Sequence, residues 1–242
     1  ARQCRALADV GIPALARHLV WPLAAGNPGA VTWELYTACV KRARVLRRRR
    51  RAHAQATSPE ETLDTVPRDL HRTLAPTRLF GGTGALRRHL ADVLGAVACA
   101  RPDLGYVQGM SYLAAAIVIH IPEPHIAFQC LLAVLSRPHV IILFRNDAAQ
   151  LTSLGAAFQD LLKAADAPLA DAITSALGTA SPHSYLWAWL RGFYFQVLPF
   201  DPACRALDLY LLHGWPTLFR VAVLILLLLR HSLVGAEEEV IL

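Results

Sequence analysis

The chain has 242 residues, of which 55% are hydrophobic and 17% charged, with a formal net charge of +6. That composition excludes an intrinsically disordered chain, which needs few apolar side chains and many charges, and the length allows one large domain or two small ones, with a sizeable core. The charge is local. Eight basic residues and no acid lie between Lys41 and Arg51 (Lys41, Arg42, Arg44 and Arg47 through Arg51), so the remainder is slightly acidic. A solvated helix face or loop is the reading of that run. A nucleic-acid binder would spread its cations over a face or groove, and the acidic remainder speaks against one.

Taken in chain order, nearly every segment reads as helix. Residues Ala1 to Asp9 are polar and mixed, unlike a signal peptide, and the start at Ala1 reads as an excised domain. Ser58-Pro59-Glu60-Glu61 is a capping box with proline at the first helical position. Leu86, Leu90, Val93, Leu94 and Val97 recur at helical spacing, between a Gly81-Gly82-Thr83-Gly84 turn and the break at Pro102. Val140 to Phe144 is ambiguous between helix and strand. Leu151, Leu154, Phe158, Leu161 and Leu162 repeat the helical pattern behind Asp147, a candidate cap. Asp201-Pro202 starts another helix, which His213-Gly214 ends. Pro216 opens a nearly all-apolar helix through Leu229 that must lie inside the packing. The charge-free apolar stretch there, Val221 to Leu229, is far short of the roughly twenty residues a bilayer helix needs. The expectation is a soluble all-α domain with no membrane span.

The chemistry is narrowed first by what is missing. The five cysteines (Cys4, Cys39, Cys99, Cys130 and Cys204) form no CxxC pair, which suits free thiols in a reducing compartment. The ten histidines make no HExxH, so no metal is expected. There is no GxxxxGK[ST] phosphate loop, no GxSxG elbow and no GxGxxG after a strand. Two short clusters remain. In Val66-Pro67-Arg68-Asp69-Leu70-His71-Arg72-Thr73, Pro67 can begin a helical turn that sets Asp69 and Arg72 on one face, where the carboxylate can hold the guanidinium in one direction. Alone, this is a commonplace surface ion pair. In Leu104-Gly105-Tyr106-Val107-Gln108-Gly109-Met110, two glycines flank Tyr106 and Gln108 at a loop-to-helix junction and can thrust a polar side chain outward. Alone, this is a helix-start turn with a buried tyrosine.

Together, Asp-x-x-Arg-Thr and Gly-Tyr-x-Gln-Gly-Met resemble the TBC domain, the Rab GTPase-activating family. The resemblance spans the chain. Gly11-Ile12-Pro13, Arg17 and Val20-Trp21 are similar to the family's opening block. Trp187 to Phe195, Pro199, Arg205-Ala206-Leu207-Asp208, Gly214 and Leu218-Phe219-Arg220 are similar to its third, in which an Arg-x-Trp-Asp helix precedes a glycine and a Leu-Phe-Arg helix. Three positions depart from the pattern. Leu207 stands at a packing tryptophan; Ser111 stands where asparagine is common, with a cap role expected to survive; Ala75 stands where an aromatic often follows Arg-Thr, altering how that segment packs.

The resemblance implies an all-α, V-shaped TBC-type domain over residues 1–242, with a finger-bearing subdomain near 1–135 and a helical C-terminal one near 136–242. It implies a GTPase activator that completes a Rab active site in trans, with no GTPase activity of its own. Arg72 is then the arginine finger and Gln108 the glutamine finger, with Asp69 orienting Arg72, Tyr106 shaping the second loop, and Thr73 and Gly109 supporting. GTP and magnesium belong to the partner, a Rab in its GTP form, which accounts for the missing phosphate loop and leaves no cofactor of the chain's own. A cytoplasmic location, close to trafficking membranes through the lipidated Rab, follows from the same resemblance. The alternative is a TBC fold that docks a GTPase or scaffold without accelerating hydrolysis.

Overall fold

Proline and aspartate set most of the helix starts. Pro124, Pro138 and Pro216 each stand in a first helical turn, where the missing N–H costs no hydrogen bond. Asp147 caps the helix that follows it by accepting from the Gln150 N–H at 3.1 Å, and Asp166 does the same for the Leu169 N–H at 3.0 Å. In the computed structural model, which describes residues 11–52, 59–177 and 181–234, these signals yield thirteen α-helices, three 3-10 turns and no strand among the described residues. The helices are α1 (Arg17–Ala25), α2 (Trp33–Ala52), α3 (Val66–Arg72), α4 (Arg87–Ala100), α5 (Met110–His120), α6 (Pro124–Leu135), α7 (Pro138–Arg145), α8 (Ala148–Ala165), α9 (Ala167–Leu177), α10 (Ser181–Arg191), α11 (Phe200–His213), α12 (Pro216–Leu228) and α13 (Arg230–Leu233). The fold is all-α. Cys4, the 1–9 opening and Ser58 of the capping box lie outside the described residues.

Helix α4 is the hub of the first half, packed against α2, α3, α5 and α6. Its Leu90, Val93, Leu94 and Val97 are buried, as the 3.6-residue spacing requires. In the second half α8 packs against α9, α10 and α12, while α1 lies against both α6 and α11. One continuous apolar cluster runs from Trp21 to Leu233. Helices α6 and α7 meet at a bend of 83°, and no single described helix is long and apolar enough to cross a membrane.

Several sequence expectations change in detail. Residues Pro59–Asp64 form a 3-10 turn, not an α-helix. The ambiguous Val140 to Phe144 is helix, with Val140, Leu143 and Phe144 on its buried side. Helix α11 begins at Phe200, one residue before Asp201. Helix α12 is not enclosed: Thr217, Leu218, Ala222 and Leu226 face the core, but Leu224 is 54% and Leu228 76% exposed. Ser111 makes no cap, since Gly109 occupies the N-cap position of α5. The basic run lies on α2, and part of it is packed: Arg44 forks onto Asp92 of α4 at 3.2 and 2.6 Å, and Arg47 donates to the Ala91 carbonyl at 2.9 Å.

The opening and third sequence blocks meet in one buried network. Arg17 of α1 donates Nε and Nη2 to the two carboxylate oxygens of Asp208 on α11, at 3.2 and 3.1 Å. Trp21 Nε1 donates to Asp208 Oδ1 at 2.6 Å. His120 closes the group, its ring centroid 4.6 Å from that of Trp21. Its Nδ1 lies 2.9 Å from the Ala116 carbonyl, which can only accept, so that nitrogen carries the proton and Nε2 accepts from Arg17 at 3.3 Å. Burial, and then the Arg17 charge, hold the His120 pKa below its ordinary 6.5. The unfolded chain therefore takes up a proton that the folded chain refuses. This stabilising contribution is complete above the unfolded value and should be lost as the pH falls through 6.5 toward the folded pKa. Urea midpoints measured from neutral to mildly acid pH should fall on acidification, and His120→Gln should flatten that slope.

Candidate functional site

Helix α3 supplies the first arm of the site. Pro67 stands in its first turn, and the three-residue spacing of Asp69 and Arg72 brings Arg72 Nη2 to Asp69 Oδ1 at 2.5 Å. The pair is asymmetric: the Arg72 side chain is 51% exposed and that of Asp69 only 8%. The other carboxylate oxygen of Asp69 accepts from the Tyr106 hydroxyl at 2.5 Å. One buried carboxylate thus joins the two sequence clusters, holding the guanidinium with one oxygen and the second loop with the other. Burial, and then the hydrogen bond to Asp69, push the Tyr106 phenol well above its ordinary range, so it stays a donor.

The second arm is the 101–109 loop. Arg101 forks onto Asp103 with two bonds of 2.8 Å, and Arg145 of α7 adds a third at 2.6 Å. The Arg101 bond, opposed by some burial and reinforced by Arg145, holds the Asp103 carboxyl far below the usual carboxylate range. From this anchored start the chain turns at Gly105 (φ 61°), and the Tyr106 N–H donates to the Thr62 hydroxyl at 2.8 Å. The turn over Val107 to Met110 then leaves Gln108 exposed, with Gly109 behind it. Gly109 has φ 103°, and a Cβ there would stand 3.2 Å from Arg191 Cβ and 3.4 Å from its carbonyl. Gly109→Ala is therefore expected to cost about 1–3 kcal/mol, checked as a lower urea midpoint.

Thr73 ends α3 and is buried. Its hydroxyl donates to the Asp69 carbonyl at 2.7 Å and lies 2.8 Å from the Ser111 hydroxyl, tying α3 to α5. With a single proton committed to the carbonyl, Thr73 accepts from Ser111. The segment after it is strained, with Leu74 (φ 45°) and Arg78 (φ 57°) both left-handed, a conformation that clusters at functional sites. This is the stretch in which Ala75 departs from the family pattern.

The two arms converge. Arg72, Gln108, Asp69 and Tyr106 line one open cleft of about 520 Å³, completed by Thr62, Thr65, Arg68 and Val107. Thr62, Thr65 and Arg68 were not singled out from the sequence. The only signal for Thr62 was its place just after the capping box, and nothing marked its bond to Tyr106. Tyr112, which donates to the Arg72 carbonyl at 3.3 Å, was likewise missed. Among the described residues no three His, Cys, Asp or Glu side chains group as a metal would need. Chemically, the cleft presents a half-exposed, pre-aimed cation beside an exposed carboxamide.

The Rab-GTPase-TBC domain family model matches residues 15–234. TBC1 domain family member 14 of Homo sapiens is 33% identical over 96% of this chain and 34% of its own length. TBC1 domain family member 12 of Rattus norvegicus is 32% identical over 98% of this chain and 35% of its own. The chain thus spans about a third of the length of these curated relatives. Among solved structures, the Chlamydomonas flagellar RabGAP TBC domain superposes with a TM-score of 0.78 over 99% of this chain and 76% of that one, at 18% identity. At that identity the likeness concerns the fold.

Proposed function

The chain belongs to the Rab-GTPase-TBC domain family, and we propose that it stimulates GTP hydrolysis on a Rab-type small GTPase by lending two side chains to the partner's active site. The observation that carries this reading is the single cleft shared by Arg72 and Gln108, with the buried Asp69 holding the guanidinium. Negative charge grows on the transferring phosphoryl group and its leaving oxygen during hydrolysis. A planar cation placed there stabilises the transition state more than the ground state, and this is the role of Arg72. The Gln108 carboxamide can accept from the attacking water and donate toward the phosphoryl oxygens, holding the nucleophile in line. Asp69 and Tyr106 position these groups without touching the reacting atoms, and Thr73 and Gly109 fix the backbone behind them. In this reading residues 1–135 carry both fingers, residues 136–242 form the second helical subdomain, and the nucleotide and its magnesium are the partner's. Membrane proximity, at the cytoplasmic face of trafficking compartments, would come from the lipidated Rab.

The test is a hydrolysis screen over a panel of GTP-loaded Rab proteins with the wild-type chain. Stimulation of at least one member above its intrinsic rate is expected. Stable complexes across the panel with no acceleration would instead assign the chain to docking alone.

A further inference from the structure

The cleft holds a second cation, which the roles given to Arg72 and Gln108 do not use. Arg68 stands one turn of α3 before Arg72, and both line the cleft together with Gln108. Side chains four residues apart on a helix are neighbours, with Cβ atoms roughly 5–6 Å apart. Arg68 is exposed, and no described carboxylate pairs with it. The one carboxylate lining the cleft is Asp69, whose two oxygens already hold Arg72 and the Tyr106 hydroxyl. The neighbouring polar groups are neutral: the Thr65 hydroxyl donates to the Thr62 carbonyl at 2.6 Å, and the Thr62 hydroxyl accepts from the Tyr106 N–H. Two guanidinium groups against one carboxylate leave the lining with one positive charge in excess.

Like charges at i and i+4 work against a helix, so this arrangement gains from a partner that brings a negative group. The phosphoryl centre that accepts both Arg72 and Gln108 occupies the middle of the cleft. Arg68, about 6 Å back along the axis of α3, then faces the protein surface around the nucleotide. A carboxylate there matches the planar fork of arginine in shape and charge. We propose that Arg68 selects the GTPase, by pairing with an aspartate or glutamate that the partner presents beside its nucleotide pocket. This inference rests on the GTPase reading above and adds to it which partners are accepted. Such a pair is equally present in the ground and transition states, so its loss raises KM and spares kcat. Arg68 is in this sense a specificity residue and not a catalytic one.

The test uses a GTP-loaded Rab that the wild-type chain stimulates, with kcat and KM measured for wild type, Arg68→Gln, Arg68→Glu and Lys163→Gln. The last removes an exposed cation of α8 outside the cleft. Arg68→Gln should raise KM by about three- to tenfold with kcat nearly unchanged, and Arg68→Glu should raise it further. Lys163→Gln should leave KM near the wild-type value. Added salt should raise the wild-type KM more steeply than that of Arg68→Gln, because the screened pair is already missing there. Each exposed acidic residue around the nucleotide pocket of that Rab is then changed to lysine. One of these variants should be a better substrate for Arg68→Glu than for the wild-type chain. An unchanged KM in Arg68→Gln, an equal rise in Lys163→Gln, a loss confined to kcat, or no such charge-swapped pair would overturn the proposal and leave the GTPase reading standing. A loss confined to kcat would place Arg68 on the nucleotide phosphates instead. A wild-type chain that stimulates no Rab would overturn the GTPase reading and this inference with it.

Discussion

Replacing Arg72 by alanine should cut stimulated GTP hydrolysis by about 10³–10⁵-fold, roughly 4–7 kcal/mol of barrier. The fold should survive the change, because the side chain is half exposed and buries little area. Arg72→Lys should recover little, since an ammonium keeps the charge and loses the planar fork. Gln108→Ala removes the group proposed to orient the water and is expected to cost about 10²-fold or more. Asp69→Asn should lower the maximal stimulated rate more than it weakens complex formation, because it releases the guanidinium from a fixed direction while leaving its charge in the cleft. Single-turnover hydrolysis on the responding Rab, with circular dichroism as the folding control, checks all four. Near-normal stimulation by the Arg72 or the Gln108 alanine variant would exclude that residue from the reaction.

How far the sequence revealed this site depended on the range of the interaction. The Asp69–Arg72 pair was legible because both residues belong to one helical turn, and spacing alone puts them on one face. The reach of Asp69 to Tyr106 was not, since any buried carboxylate could have satisfied that phenol, and only the fold brings residue 106 to residue 69. The resemblance to a family suggested a joint meaning for the two clusters, and the fold brings both to one cleft. The enclosure expected for α12 failed for a related reason. Apolar composition alone does not say whether a helix is buried all round or leaves Leu224 and Leu228 on an outer face. The basic run reads as solvated because charge reads as exposure, whereas Arg47 lays its long stem across to α4, where Nη2 donates to the Ala91 carbonyl.

The buried network that joins the two ends of the domain sets the second large expectation: Asp208→Ala should destabilise the fold by about 3–5 kcal/mol. Asp208 is fully buried, Arg17 nearly so, and 191 residues of chain separate them. An exposed pair would be worth about 1 kcal/mol at most. Here the alanine leaves a guanidinium in the interior without its counter-charge and the Trp21 N–H without an acceptor, and each omission incurs the desolvation of an unmet group. Against a total stability of roughly 5–15 kcal/mol, such a loss would unfold a large share of the molecules on modest heating. Asp208→Asn keeps an acceptor for Trp21 but not the charge, so it should fall between wild type and alanine. The double change Arg17→Met/Asp208→Leu should recover much of the loss, because it removes both buried charges together and leaves apolar volume in their place. Urea denaturation of the four proteins measures this directly. None of these residues lines the cleft of Arg72 and Gln108, so the folded fraction of each variant should stimulate hydrolysis at the wild-type rate. A variant that stayed folded and lost stimulation would mean that the network also sets the geometry of the cleft that holds Arg72 and Gln108.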